Sequence, residues 1–529
     1  MNRFTNIFLS VAVLLAFSAC TKNFEEINTN PNGISYGDIQ AYNCFEPILY
    51  GVGSKIQEQA QYYNNELIQM SAFTAGQTQH IKEYIITGGN SQTLWDTYAR
   101  YGGDSNHMIE LARKWNDPYY EALGLIFKVY NLSILSSLFG DIPYKEAYKY
   151  SENRTPAFES QEELLSDMIE DLDSASVILL RKPSQLKTGL DAMYNDNMAK
   201  WAKFANSLRM RLLCRYSGIA SLDCWSRIQE MIDNPEKYPV MSSNDDNATV
   251  PFQNQDPYMS YWGTSKPDQT SFQNYRFSER VISMMVQFNN DGHSVFVDPR
   301  LQMFGKYRNG EWKGAVSGCP ASQNSTVDVG TSYASYDFMC RADFPSFLME
   351  YSEILFIEAE GVAKGVLSVE GKTAKELYEA AMDANIEKWR TVGAAAPSPK
   401  TIKASDFEKL LASPLASWDA VANGTSIYKS EEELILSQKY LSLYYCGFEQ
   451  YNEWRRTEYP ILTIGSGTDS NDYELPTRFA YPNYTATSNK LNVQKALERM
   501  GGDDDMHTAL DWSYKKLSGG QHRNPYKAQ

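Results

Sequence analysis

The sequence predicts a mainly α fold: stacked helical hairpins in an α-α superhelical body, with a loop-rich middle and a few short strands. Three observations predict it. Apolar residues recur at i, i+3, i+4 and i+7 toward both ends of the chain. Capping boxes, Ser160 with Glu163 and Ser430 with Glu433, open two of these runs. Between the periodic ends, residues 242–343 fill with Asn, Asp, Pro, Gly and Tyr, which marks loops and not a separate domain. The chain has 529 residues. One compact core stops growing near ~250–300 residues, whereas a stacked array grows without a larger centre. Residues 35–529 are therefore expected to form one helical unit.

The N-terminus comes first. Met1–Ala19 carries one cation, Arg3, then the apolar run Ile7–Phe17, then Ser18-Ala19. A basic start, a short apolar stretch and small residues describe a secretory signal. The cysteine that follows, Cys20, looks like a bacterial lipobox cysteine, acylated and left as the first residue after cleavage. Phe17 stands where such boxes usually have Leu. The alternative is a plain secreted protein with a chance cysteine. Residues 20–34 are expected to be the lipidated cysteine and a tether. Asn28-Thr29-Asn30-Pro31-Asn32-Gly33 imitates a calcium loop, but the twelfth position is Ile39 where a Glu is needed.

The body then unfolds in order. Tyr42–Ala72 and Thr93–Trp115 read as helices. Asp117-Pro118 opens Tyr119–Leu138, whose Leu123, Ile126, Phe127, Tyr130, Ile134 and Leu138 form one buried face, and Gly140 ends it. Ser160 opens a helix with Leu165, Met168, Ile169 and Leu172 in phase. Met198–Tyr216 follows, with Lys200, Lys203, Arg209 and Arg211 on its other face. In the middle, a helix is expected near Phe277–Phe288, and Asn309-Gly310 signals a two-residue hairpin. Pro345–Ala363 and Thr373–Trp389 form a hairpin of tetratricopeptide length. Ser430 opens a helix to about Tyr445, and a short one lies near Val493–Met500.

Composition narrows the function. The formal charge is −16, or −17 once Arg3 leaves with residues 1–19, which disfavours nucleic acid. No other apolar run reaches the ~18 residues of a spanning helix. With 36 Tyr, 10 Trp and 23 Phe, the chain is aromatic and tyrosine-heavy, as half-wet surfaces are. The cysteines after Cys20 show no CxxC, so no metal or redox motif is expected. Cys214 and Cys446 read as buried thiols, and Cys319 and Cys340 flank a loop and could pair.

Catalytic motifs fail one by one. The five His are scattered, which removes HExxH zinc chemistry. Gly330-Thr331-Ser332-Tyr333-Ala334 lacks the second Gly of a nucleophile elbow. Gly365…Gly371-Lys372-Thr373 has one residue too many for a phosphate loop and joins two helices. Asp503-Asp504-Asp505 reads as a solvated acidic turn. A glycosidase needs only two carboxylates, so a secreted glycosidase stays an alternative. What remains is an aromatic-polar stretch with Tyr258, Tyr261, Trp262 and Tyr275. Sugar rings stack their C–H faces on such residues while Asn, Asp and Ser take the hydroxyls. The same aromatics could instead plug into the helical body. Tyr84–Tyr101, with Trp95 and Tyr98, is a second candidate that also reads as helix core.

Several stretches appear in a fixed order: Asn28-Thr29-Asn30-Pro31; Leu138-Phe139-Gly140-Asp141-Ile142-Pro143-Tyr144-Lys145-Glu146-Ala147; Lys200–Arg211; Asp298-Pro299-Arg300-Leu301; Glu353–Glu360; Gln438-Lys439-Tyr440 with Glu453-Trp454-Arg455-Arg456-Thr457; and Tyr481-Pro482. Together they resemble the SusD/RagB-like outer-membrane nutrient-binding lipoproteins over essentially the whole mature chain. The resemblance implies four tetratricopeptide-like hairpins with irregular loops carrying the ligand site. It implies a binding protein without enzymatic activity or cofactor, lipid-anchored on the outer face of the outer membrane. It captures oligosaccharides, or in some members peptides, for a SusC-like TonB-dependent β-barrel. The acidic run that often follows the cysteine is reduced here to Glu25-Glu26. The shared motifs are taken as structural: Gly140–Ala147 shapes a helix-to-loop exit, and Arg455 and Arg456 pair with acidic neighbours. The family has no fixed ligand motif, so Tyr258, Tyr261, Trp262, Tyr275 and Trp95 rest on the aromatic reading alone, and no metal ligand is expected.

Overall fold

The computed structural model describes residues 36–75, 81–149, 151–181, 189–323 and 329–523. Cys20 and its tether lie outside them. After α1 (Tyr42–Gln59), the helices fall into pairs: α2 (Gly88–Trp115) with α3 (Pro118–Phe139), and α4 (Gln161–Leu180) with α5 (Met198–Arg215). Beyond the middle come α6 (Tyr351–Ala363) with α7 (Ala374–Ala394), then α8 (Glu431–Ser442) with α9 (Glu449–Thr457). These are four antiparallel helical hairpins, and α3 also packs on α4 and α6 on α8.

Local chemistry sets the helix ends. Thr87, Ser160 and Thr373 each close a reciprocal capping box, and Asp117 caps α3 ahead of Pro118. Ser430 also caps its helix, but the Glu433 carboxylate reaches back one residue further, to the Lys429 N–H at 2.9 Å. Gly140 stops α3 at φ +97°, where a side chain would also strike Met500. The chain turns there as the sequence implies: Ile142 bridges Glu159, whose carboxylate takes the Tyr144 and Lys145 amides at 2.8 and 3.1 Å. The Gly365–Thr373 stretch is the break and restart between α6 and α7.

Helix α3 is long and apolar enough to cross a membrane, yet it is the buried centre of the body. Its Asn131, Ser133 and Ser137 interrupt the apolar run and bond carbonyls of their own helix at 2.7, 2.9 and 2.6 Å, so the interior accepts them.

Three periodic stretches take other forms. The helix expected over Tyr42–Ala72 passes through a π turn at Ala60–Asn64, and the chain leaves it at Gln69, φ +59°. Ser71–Phe73 becomes a strand, because the Glu66 carboxylate binds the Ser71 hydroxyl and the Phe73 amide while the strand Tyr275–Phe277 supplies a ladder. Phe277–Phe288 splits at Ser278, which caps a short helix, Glu279–Met285; Val286–Phe288 then pairs with Ser294–Val297. Ser346–Met349, expected as the start of a helix, pairs with Ala248–Val250 instead, and α6 begins only at Tyr351. In each case a tertiary ladder overrides local periodicity. The Asn309-Gly310 hairpin forms as expected, with φ of +54° and +86° and Arg308 bridged to Glu311.

Buried charges cross-link the four hairpins. Arg211 of α5 is held by Glu353 of α6 at 2.7 and 2.6 Å, and Arg215 by Glu449 of α9 at 2.5 Å. Arg456 of α9 forks onto Glu360 of α6 at 2.8 and 2.6 Å and reaches Glu453, which also binds Lys439 at 2.8 Å. Arg300 joins Asp298 to Gln438 of α8, both at 2.7 Å. Arg209 and Arg211, placed by periodicity on a second face of α5, are therefore buried, the former against Asp173. Burial opposes ionisation of Glu453, but Arg456 and then Lys439 overcome it and hold its carboxyl at about 2. Arg455 corrects the expectation of an acidic partner. Its hydrogen bonds run to the Ser137, Tyr451 and Thr477 carbonyls and to Asn452, and burial pulls its guanidinium down to about 10.

The acidic turn at Asp503–Asp505 is likewise used: Asp504 accepts from Arg478 and from the Tyr481 amide, both at 2.9 Å. Cys319 and Cys340 form no disulfide with each other; both thiols are buried, Cys319 lying 3.8 Å from Lys82.

Candidate ligand-binding surfaces

The outer side of α1 and its π turn carries Tyr50 and Tyr62, and the aromatic-polar stretch of the middle lies along it. Tyr258 packs on Tyr50 with ring centres 4.9 Å apart. Tyr261 and Tyr275 meet Tyr62 at 6.0 and 5.5 Å, and Tyr275 continues to Phe73 at 4.9 Å. The stretch is pinned by Ser260, whose amide and hydroxyl donate to the Ala342 and Arg341 carbonyls at 2.8 and 2.9 Å. The Tyr261 amide donates to Gln57 at 3.1 Å. Three of the expected residues, Tyr258, Tyr261 and Tyr275, thus come together as a half-buried tyrosine band. Burial raises the Tyr50 phenol to about 12 and pushes Tyr62 higher still, so these hydroxyls stay protonated. A row of un-ionised phenols offers ring faces with hydroxyl donors and acceptors.

Trp262 does not belong to that band's accessible side. It is 0% exposed, enclosed by Tyr62, Tyr261, Phe272 and Tyr445. The indole fills the space beneath the half-buried tyrosines, so Trp262 is core and no stacking platform.

Trp95 lies at a different place, a cavity of about 460 Å³ between α2, the 143–158 loop and residues 484–489. Phe139, Phe158 and Tyr481 pack around its indole, leaving it 7% exposed as part of the wall. Tyr484 also lines the cavity, 45% exposed, its hydroxyl donating to Asp96 at 2.8 Å. Arg100, Asp104, Glu146 and Arg154 complete the polar lining. The loop is braced from within. Glu146 accepts from Asn153 and the Ala157 amide at 2.8 and 2.9 Å, and the Tyr148 hydroxyl donates to the Ala99 carbonyl at 2.8 Å. Burial raises the Asp104 carboxyl, and Arg100 draws it back. A cavity lined by aromatic side chains with scattered acceptors and donors suits a neutral polyhydroxyl ligand. Among the described residues no group of His, Cys, Asp and Glu is placed to hold a metal. Sequence reasoning passed over Tyr484, Arg100 and Glu146, although the Gly140–Ala147 motif sat beside the cavity.

Comparison with known proteins decides the family. The SusD-like model described as starch-binding, associating with outer membrane, matches residues 31–482. The chain belongs to the SusD-like family. The same fold recurs in solved structures. A SusD homologue from Parabacteroides distasonis is 21% identical, with TM-score 0.75 over 90% of this chain and 98% of that one. A Bacteroides fragilis homologue is 23% identical, with TM-score 0.68 over 90% and 99%. A chitin-binding SusD homologue from Flavobacterium johnsoniae is 21% identical, with TM-score 0.69 over 89% and 98%. No curated protein gave a significant match. In this SusD-like chain the ordered motifs that carry the resemblance supply the buried charge pairs: Arg211 from Lys200–Arg211, Glu353 and Glu360 from Glu353–Glu360, and Lys439, Glu453 and Arg456 from Gln438-Lys439-Tyr440 and its companion Glu453–Thr457. They define the frame and not the ligand.

Proposed function

We propose that this chain captures oligosaccharides at the outer face of the outer membrane and delivers them to a SusC-like TonB-dependent transporter, without catalysing a reaction. The family's description as starch-binding at the outer membrane supports this, as does the chitin-binding relative. The observation that carries it is the cavity of about 460 Å³ walled by Trp95 and Tyr484, whose aromatic faces and polar rim match a sugar ring and its hydroxyls. The tyrosine band of Tyr258, Tyr261 and Tyr275 is a second contact surface for a longer glycan. Acylation of Cys20 would hold the body beside its transporter, making each recapture effectively intramolecular.

Affinity electrophoresis of the purified protein against a panel of polysaccharides tests the reading. Retardation by at least one glycan is expected. Peptides recovered from the purified complex, with no glycan affinity, would replace it with a peptide-loading role. Turnover abolished by a single carboxylate substitution would make the protein a glycosidase.

A further inference from the structure

A second cleft, of about 470 Å³, opens beside the Asn309-Gly310 hairpin and shares no lining residue with the first cavity. Its chemistry differs. Tyr307 is 56% exposed and meets Trp312 at 5.7 Å with the ring planes tilted 66° apart, and both line the cleft. Two ammonium groups, from Lys306 and Lys400, line the same space. Lys400 is half-buried. Its ammonium donates to the Gln302 and Met303 carbonyls at 3.4 and 3.2 Å and sits over the Phe338 ring at 5.7 Å. Among the described residues no carboxylate lies within ion-pair reach of Lys400, whereas the Lys306 ammonium meets the exposed Asp337 at 3.5 Å at the edge of the cleft. Burial, and next the charge of Lys306, lower the Lys400 pKa.

The hairpin adds to the imbalance. Arg308 and Lys313 are exposed on it, while its one acid, Glu311, is occupied by His293 at 2.8 Å and by Ser294. In a chain of net charge −16, this is a local concentration of positive charge against an aromatic face.

We propose that this cleft binds an acidic saccharide, its ring on Tyr307 and its carboxylate or sulfate ester between Lys306 and Lys400. The proposal rests on the saccharide reading above and names a ligand class within it. Lysines act as point charges without the fixed fork of arginine, so the cleft accepts either anion. A charged oligosaccharide would then be held at two places, by hydroxyls in the first cavity and by its acid here.

Isothermal titration of the intact lipoprotein tests this with three probes: tetragalacturonate, its methyl-esterified neutral counterpart, and a sulfated tetrasaccharide. At least one acidic probe is expected to bind about tenfold or more tighter than the neutral one, weakening as salt rises. Lys400→Gln and Lys306→Gln should each remove most of that preference at unchanged melting temperature, and Tyr307→Ala should weaken both kinds of ligand. Which acidic probe wins separates carboxylate from sulfate. Equal binding of acidic and neutral probes overturns the proposal, as does unchanged acidic affinity in both lysine variants. If neutral glycans retard the protein in electrophoresis while neither acid is preferred, only this inference fails. If no saccharide binds by either method, the proposed function fails with it.

Discussion

Both carboxylate oxygens of Glu353 accept from Arg211, at 2.7 Å from Nε and 2.6 Å from Nη2, with both side chains out of water. The pair ties the second hairpin to the third. Arg211→Met leaves a buried carboxylate without its partner and is expected to cost roughly 3–5 kcal/mol of stability. Urea denaturation reads the loss. Combining it with Glu353→Met should restore part of the stability, since no charge is then left unpaired; a double variant as unstable as the sum of the singles contradicts the assignment.

The carboxyls of Glu360 and Glu453 are both held low by Arg456, against the opposing effect of burial. A depressed acid stabilises the fold above its unfolded value, near 4.5, and loses that contribution as pH falls toward its folded value, about 2 for Glu453. Melting temperature should therefore fall steeply between pH 4.5 and 2. Glu453→Gln should flatten that acid limb while lowering stability at neutral pH.

Trp262→Ala empties a site with no solvent access. It is expected to cost roughly 3–5 kcal/mol, read by denaturation, as large-to-small core changes do. Tyr261→Ala and Tyr258→Ala should leave the fold nearly intact and weaken glycan retardation. A Trp262→Ala protein of wild-type stability would return the indole to the surface.

At the first cavity, Tyr484→Ala removes an exposed ring whose loss leaves no buried void. Oligosaccharide affinity should drop about tenfold, close to 1.4 kcal/mol, with melting unchanged. Titration calorimetry distinguishes this from a passive wall, for which affinity would not move.

Cys20→Ser should give a protein that folds and binds glycan but does not partition into membranes or support uptake. Uptake by the unlipidated protein would show that the anchor is dispensable.

The helical frame was largely legible from residues. The phase of Leu123, Ile126 and Phe127, the caps at Asp117 and Ser160 and the stop at Gly140 all encode locally, and local signals survive in a helix. Ser71–Phe73 and Ser346–Met349 were not legible as strands, because their partners Tyr275–Phe277 and Ala248–Val250 lie far away in sequence. At the candidate surfaces, side-chain type identified aromatics but not their exposure. Trp262 and Tyr261 are neighbours in sequence, and only the packing of Phe272 and Tyr445 decides which is sealed. Tyr484 and Asp96 stand 388 residues apart, so nothing local announces their hydrogen bond.

Stacks of helical hairpins held by nearest-neighbour contacts can fray from their ends, each repeat melting almost alone. This body is wired otherwise. Arg215 spans from Ser137 on the first hairpin to Glu449 on the fourth, and Arg455 returns from the fourth to the Ser137 carbonyl. Peeling off either terminal hairpin strands a guanidinium in the interior. Unfolding should accordingly be cooperative across the four hairpins, a single calorimetric transition where a simple array would give a staircase.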